Sequence, residues 1–136
     1  RTEVEQAIGR INGRFGQVGR PVVHYIHRGV PKNKLGTFYA AADIMLVTPF
    51  KDGMNLVAKE YVAAHPKGDG ALVLSEFAGA AVELNQAYLC NPFDLGSVKA
   101  AIVAATNPDP ARMRAMHDWV MEHDVTRWAQ DFLEAL

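Results

Sequence analysis

The chain has 136 residues, of which 49% are hydrophobic and 21% charged, a composition typical of a globular domain that buries its own core. A formal net charge of −1 gives no electrostatic reason to expect nucleic acid or an anionic membrane as a partner. The single cysteine, Cys90, excludes an internal disulfide and a multi-cysteine metal site, so we expect a reducing, cytoplasmic setting. We find no apolar run as long as a membrane span and no signal-peptide pattern.

The first third of the chain predicts a helix followed by a strand. Thr2–Phe15 carries its apolar residues at helical spacing, and the glycines that follow end the helix and form a loop. Because the chain begins with Arg1 inside this helix instead of a methionine, we expect a part of a longer protein. Pro21–Ile26 is rich in β-branched and aromatic residues and predicts a strand. The loop Arg28–Lys34 would then border a ligand cleft at the carboxyl end of that strand.

A short helix over Leu35–Ala42 is predicted to lead into the central strand of a parallel sheet, Ile44–Val47. Together with Pro21–Ile26 these segments would form a right-handed βαβ crossover. The residues expected on the inward face of the helix are Leu35, Phe38, Tyr39 and Ala42.

A tight loop and a helix follow the strand, and this stretch is the candidate ligand site. Pro49 stops the strand, Asp52-Gly53 turns the backbone, and a helix is predicted over Asn55–Ala64. In this arrangement free backbone N–H groups and the helix dipole face an anion at the carboxyl end of the strand. Met54, Leu56, Val57 and Tyr61 recur at helical spacing, and Leu56 and Val57 are expected to pack in the core.

The second half of the chain continues the alternation of strand and helix. Strands are predicted over Ala71–Leu74 and Ala87–Cys90, with Cys90 as a small buried hydrophobe. His65, at a helix end, is expected to be exposed or to favour the helix dipole. The helices are predicted over Asp94–Ala105, from Asn107 to His123 and over Thr126–Leu136.

Each of these three helices has a predicted inward stripe of apolar side chains. The stripes consist of Val98, Ile102 and Val103, of Met113, Met116 and Val120, and of Trp128, Phe132 and Leu136.

Four unbroken strings of residues, spread over nearly the whole chain, resemble the trehalose-6-phosphate synthases, a family of retaining glycosyltransferases. The longest is Asp52-Gly53-Met54-Asn55-Leu56-Val57-Ala58-Lys59-Glu60-Tyr61. The others, in the same order as in the family, are Gly9–Gly13, Leu72–Ala81 and Asn91–Asp94.

The resemblance implies an α/β fold, a Rossmann-like three-layer sandwich with a mainly parallel sheet. It implies that residues 1–136 are part of the C-terminal nucleotide-sugar-binding domain of a two-domain GT-B architecture. About residues 126–136 would form a terminal helix that contacts the other domain. In this family glucose passes from UDP-glucose to glucose 6-phosphate with retention at the anomeric carbon, and no metal or other cofactor is required. The resemblance leaves a homo-oligomer of the full-length protein open.

The resemblance also implies which residues bind the donor. Asp52, as the catalytic-site carboxylate, and the backbone of Gly53, Met54 and Asn55 would contact the glucose hydroxyls. The amides at the start of the helix would hold the diphosphate, Glu60 would accept both ribose hydroxyls, and Val30 would contact the base. The complete donor-binding set is Val30, Asp52, Gly53, Met54, Asn55, Leu56, Val57, Ala58, Lys59 and Glu60.

Two alternatives remain open at this stage. The first is another GT-B glucosyltransferase, such as a glycogen or sucrose synthase relative, although those enzymes usually carry a Glu-rich motif where this chain has Asp-Gly-Met-Asn. The second is a non-catalytic nucleotide-sugar-binding or regulatory α/β module. In the family the basic clamp on the leaving diphosphate and the acceptor site lie upstream of these motifs. We therefore expect the chain alone to be inactive and to bind UDP-glucose only weakly.

Overall fold

In a computed structural model, which describes residues 1–124, the chain divides into two compact units, Arg1–Pro31 and the part from Lys32 onward. The described helices and strands are α1 Thr2–Phe15, α2 Lys32–Ala41, β1 Ile44–Val47, α3 Leu56–Ala63, β2 Ala71–Ser75, α4 Ala80–Glu83, β3 Tyr88–Cys90, α5 Leu95–Ala105 and α6 Pro110–Glu122. The helix predicted over Thr126–Leu136 lies outside the described residues. No helix within residues 1–124 is long and apolar enough to cross a membrane.

The first unit contains α1, as predicted, but the strand predicted over Pro21–Ile26 is wrong, and with it the βαβ crossover. A strand needs backbone partners on a neighbouring strand, and this segment pairs with none among residues 1–124. The side chain of Asn12 takes their place: its Oδ1 accepts from the amides of Val22 and Val23 at 2.9 and 2.8 Å, and its Nδ2 donates to the Val23 carbonyl at 2.9 Å.

The second unit is built on a parallel sheet with the strand order β1-β2-β3. Its middle strand is β2, all five residues of which are buried, as expected for a continuous apolar run. The prediction that Ile44–Val47 is the central strand is therefore wrong for the sheet formed within residues 1–124, in which β1 is an outer strand. An apolar run indicates burial but does not reveal how many neighbours a strand has.

Helices cover both faces of this sheet, which confirms the α/β three-layer fold. On one face Leu72 and Leu74 pack with Tyr61 and Val62 of α3 and with Met113 of α6. The other face forms a smaller core with α5, made of Ala71, Val73, Cys90, Ala101 and Ala105. Cys90 is buried, as predicted.

Several predicted burial states are wrong, three of them away from the start of α3. Val103 is exposed, because α5 packs on the sheet through Ala101 and Ala105, and Phe38 is also exposed. His65, by contrast, is fully buried. Its ring lies 4.4 Å from that of Tyr61, and its Nε2 bonds the Tyr39 carbonyl at 2.8 Å, so burial leaves this nitrogen satisfied.

Candidate functional site

The loops that follow the three parallel strands meet at one edge of the sheet, where open α/β sheets bind ligands. The loop after β1 carries Asp52-Gly53-Met54-Asn55, and the loop after β2 carries Phe77-Ala78-Gly79. Asp52 and Ala78 pair side by side, as two residues of parallel strands do. The two loops thus extend the sheet by one backbone pairing beyond β1 and β2.

Asp52 organises the first loop. Its Oδ1 accepts from the amide of Met54 at 3.1 Å and its Oδ2 accepts from the side-chain amide of Asn55 at 2.9 Å. These two bonds, the first being the stronger influence, hold the pKa of the Asp52 carboxyl below its usual value of 3.8. The carboxylate is therefore ionised at neutral pH and available as an acceptor at this edge of the sheet.

Asn55 ends the loop and begins α3. Its φ of 79° lies in the left-handed region, and no other non-glycine residue among the described residues has a positive φ. Its Oδ1 accepts from the amide of Ala58 at 2.9 Å, which caps the helix. Strained backbone held by surrounding bonds is common where a protein places groups against a ligand.

Three amides at the start of α3 have no acceptor. Among residues 1–124, the N–H groups of Asn55, Leu56 and Val57 donate to no protein atom, whereas those of Met54 and Ala58 bond the side chains of the loop. Unpaired amides at the first turn of a helix carry the positive end of the helix dipole. Amides of this kind are able to hydrogen-bond an anion.

The side chains around these amides are more exposed than predicted. Leu56 and Val57 are predicted to pack in the core, but they are 61% and 40% exposed, and the neighbouring Met54 is 52% exposed. The core face of α3 begins one position later, with Ala58, Tyr61 and Val62. The apolar side chains of the first turn thus lie outside the core that the described residues form, whereas Tyr61 is fully buried.

Glu60 and Lys59 point to different neighbours of α3. The Oε2 atom of Glu60, an exposed residue, accepts from the phenol of Tyr39 on α2 at 3.0 Å. The ammonium of Lys59 pairs with Glu83 of α4 and lies 5.7 Å from the centre of the Trp119 ring. The Oε1 atom of Glu60 bonds no residue in the described part of the chain and lies one turn along from the unpaired amides, while Lys59 is engaged on the side of α4 and α6.

Gly79 lies where the loop after β2 packs closely against the loop after β1. Its amide donates to the Asp52 carbonyl at 2.8 Å, and the next amide, that of Ala80, donates to the Met54 carbonyl. A Cβ atom at position 79 would lie 2.1 Å from the carbonyl oxygen of Gly53. The small residues Ala78-Gly79-Ala80-Ala81 signal close packing in the sequence, but only the structure shows what they pack against.

Exposed phenylalanines from all three loops lie together at this edge. The ring of Phe93, after β3, lies 4.7 Å from that of Phe50 and 5.7 Å from that of Phe77. Because the three residues are far apart in the sequence, no sequence pattern predicts this cluster.

Two further observations concern the position of Val30 and the capacity of the described residues to hold a metal. Val30 belongs to the unit Arg1–Pro31, so it is not part of the geometry described for the second unit. Within residues 1–124, no group of three or more His, Cys, Asp and Glu side chains is arranged to hold a metal ion.

Comparisons with known proteins identify the family. The family model of glycosyltransferase family 20 matches residues 1–136. The trehalose-6-phosphate synthase of Mycobacterium sp. (strain JLS) is 60% identical over 140 residues, which cover 100% of this chain and 29% of the relative.

Solved structures give the same result. The structure from E. coli with bound UDP-2-fluoro glucose has a TM-score of 0.88 and 40% identity, covering 98% of this chain and 31% of that one. The alpha,alpha-trehalose-phosphate synthase (UDP-forming) from Burkholderia xenovorans in complex with glucose-6-phosphate has a TM-score of 0.86 and 39% identity, covering 98% and 31%. The chain thus spans about 30% of the length of these relatives. It belongs to glycosyltransferase family 20.

Proposed function

We propose that this chain forms the donor-binding part of an enzyme that transfers glucose from UDP-glucose to glucose 6-phosphate with retention, giving trehalose 6-phosphate and UDP. The family assignment supports the reaction class. Relatives with bound UDP-2-fluoro glucose and glucose-6-phosphate support the two substrates. The acceptor would be held mainly by an N-terminal domain, with residues 1–136 as part of the C-terminal Rossmann-like domain.

The observation that carries the proposal is the set of three unpaired amides at the start of α3. A diphosphate needs hydrogen-bond donors and positive potential, and the amides of Asn55, Leu56 and Val57 supply both. Glu60 lies one turn along, and its Oε1 atom, which bonds none of residues 1–124, can accept from the ribose hydroxyls. A nucleoside diphosphate has the same order of groups, phosphates followed by a ribose.

The remaining donor contacts follow from the loop. Asp52 is ionised and bonded within the loop, and it accepts from glucose hydroxyls together with the backbone of Gly53 and Met54. Ala58 and Lys59 border the site through the main chain, since the Lys59 ammonium is paired with Glu83. For Val30 the assignment as the base contact rests on the family alone and not on this loop.

The chemistry assigned to these groups is orientation and charge stabilisation. Retaining transfer within this proposal needs no covalent protein nucleophile: the site aligns the two sugars and stabilises the departing diphosphate as its negative charge grows.

A buried thiol and the lack of a second cysteine agree with a cytoplasmic location.

Calorimetric titration of the chain with UDP tests the proposal. We expect weak, saturable binding of UDP that Asp52→Ala leaves in place or reduces modestly and that Glu60→Ala reduces about tenfold, as expected for a lost hydrogen bond to a charged group. Met121→Ala, an exposed position on α6, is the control and should bind as the unaltered chain does. A chain that binds no UDP would contradict the donor site.

A second assay tests the claim that the chain is only part of the enzyme. Incubated with UDP-glucose and glucose 6-phosphate, the chain should release no trehalose 6-phosphate above the uncatalysed rate, because it spans about 30% of the active relatives' length. Glucosyl transfer by the chain alone would overturn this part of the proposal.

A further inference from the structure

The contact between Tyr39 and Glu60 joins two helices that are distant in the sequence. The phenol of Tyr39, on α2, donates to the Oε2 atom of Glu60, on α3, at 3.0 Å. An exposed glutamate samples several rotamers, and fixing it in one of them on binding a ligand costs conformational entropy. Because the bond to Tyr39 already restricts the Glu60 side chain in the unliganded protein, less conformational entropy is lost when a ligand binds.

The bond also leaves Glu60 able to bind a ligand. An ionised carboxylate has about four acceptor positions, of which the phenol uses one. The rest can accept the two neighbouring hydroxyls of a pentose. Burial of the Tyr39 phenol, its bond to Glu60 and the charge of Glu60 raise the pKa of the phenol above 10.0, so it keeps its proton and remains a donor at neutral pH.

Tyr39 is itself held in place from the far end of α3. His65 donates from Nε2 to the Tyr39 carbonyl at 2.8 Å, and its Nδ1 lies 3.3 Å from Oδ1 of Asp69. Tyr61 donates to the Ala42 carbonyl at 2.9 Å. Two side chains of the α3 segment therefore fix the last turn of α2, and this turn carries the phenol.

We propose that Tyr39 is a positioning residue for the nucleotide ribose: it holds Glu60 in the rotamer that accepts the two ribose hydroxyls. This inference rests on the proposed function, because it takes Glu60 as the ribose ligand. Nothing in it requires Tyr39 to touch the substrate. Removing the phenol should therefore lower only the contribution that Glu60 makes to the affinity for the nucleotide.

The test compares two nucleotides on four forms of the chain. UDP and 2′,3′-dideoxy-UDP, which lacks both ribose hydroxyls, are titrated into the unaltered chain and into Tyr39→Phe, Glu60→Ala and the double variant. Tyr39→Phe should weaken UDP binding about threefold to tenfold, the effect of one lost hydrogen bond. It should leave the affinity for 2′,3′-dideoxy-UDP unchanged, which also shows that the variant is folded. In the Glu60→Ala background Tyr39→Phe should have no further effect.

A matched control removes a different phenol. The Tyr88 hydroxyl accepts from the Asp109 amide at 3.0 Å, far along the chain from Glu60. Tyr88→Phe should leave the affinities for both nucleotides unchanged.

The outcomes separate this inference from the proposed function. If the unaltered chain prefers UDP and Tyr39→Phe retains the full preference, or weakens both nucleotides equally, the positioning role is wrong and the donor site stands. An undiminished effect of Tyr39→Phe in the Glu60→Ala background would also overturn it. If the unaltered chain binds neither nucleotide, or binds both equally, the ribose role of Glu60 fails and the positioning role fails with it.

Discussion

At the scale of single residues, Asp52 and Asn55 build the loop in front of α3. Each side chain makes two hydrogen bonds. Asp52 accepts from the Met54 amide and from the Asn55 side chain, and Asn55 also accepts from the Ala58 amide and so caps α3. These bonds occupy the loop side chains with one another. They leave the amides of Asn55, Leu56 and Val57 as the groups available to an anion.

This arrangement predicts how the loop responds to acid. The folded state holds Asp52 ionised, so the stabilisation from its two bonds is present above the usual pKa of 3.8 and is lost as the pH falls through the lowered pKa of the folded state. The Met54 amide signal, followed by NMR as the pH is lowered, should change with a midpoint below 3.8. In Asp52→Asn this change should vanish. A midpoint at or above the usual value would contradict the loop geometry.

At the scale of elements, the fit between the two loops depends on the missing side chain of Gly79. A Cβ there would meet the Gly53 carbonyl carbon at 2.6 Å as well as its oxygen, and both are backbone atoms that cannot rotate away. The loop after β2 must then move off the loop after β1.

We therefore expect Gly79→Ala to lower the free energy of unfolding by about 1–3 kcal/mol, the usual cost of overpacking. Urea denaturation measures this change. Gly36→Ala is the matched control: Gly36 lies within α2 with nothing within 4 Å of an added Cβ, so alanine should raise stability by about 0.5–1 kcal/mol. Equal effects of the two substitutions would show that the loops are not packed as described.

Several elements could be predicted from the sequence because their signals are local. The apolar runs of β1, β2 and β3, the helix predicted over Asp94–Ala105 and the glycine loop at residue 53 are of this kind. The strand expected over Pro21–Ile26 failed because its residue preferences are those of a strand but pairing requires a partner. The core packing expected for Leu56 and Val57 is wrong because helical spacing shows which residues share a face but not whether another element covers that face. The Tyr39–Glu60 bond spans 21 positions and leaves no pattern in the sequence.

At the scale of the whole molecule, the larger core holds α3, and so the candidate site, against the sheet. Tyr61 and Val62 on α3 pack in one cluster with Leu72, Leu74 and Met113. The unpaired amides lie at the N-terminal end of α3, so the packing of this helix in the core fixes their positions.

Two methionines of α6 test this role of the core. Met113→Ala, at a position 1% exposed, should lower the free energy of unfolding by about 2–5 kcal/mol through lost burial and the cavity left behind. Met121→Ala, at a position 50% exposed, should change it by less than about 0.5 kcal/mol. Thermal or urea unfolding of both variants gives the comparison, and a Met113→Ala chain as stable as Met121→Ala would contradict the assigned core.

The most direct test of the account is an NMR titration of the ¹⁵N-labelled chain with UDP, which reports on each backbone amide separately. We expect the largest shifts at the amides of Asn55, Leu56 and Val57, since these have no acceptor within residues 1–124. Saturable binding with its largest shifts elsewhere, and these three signals unmoved, would contradict it.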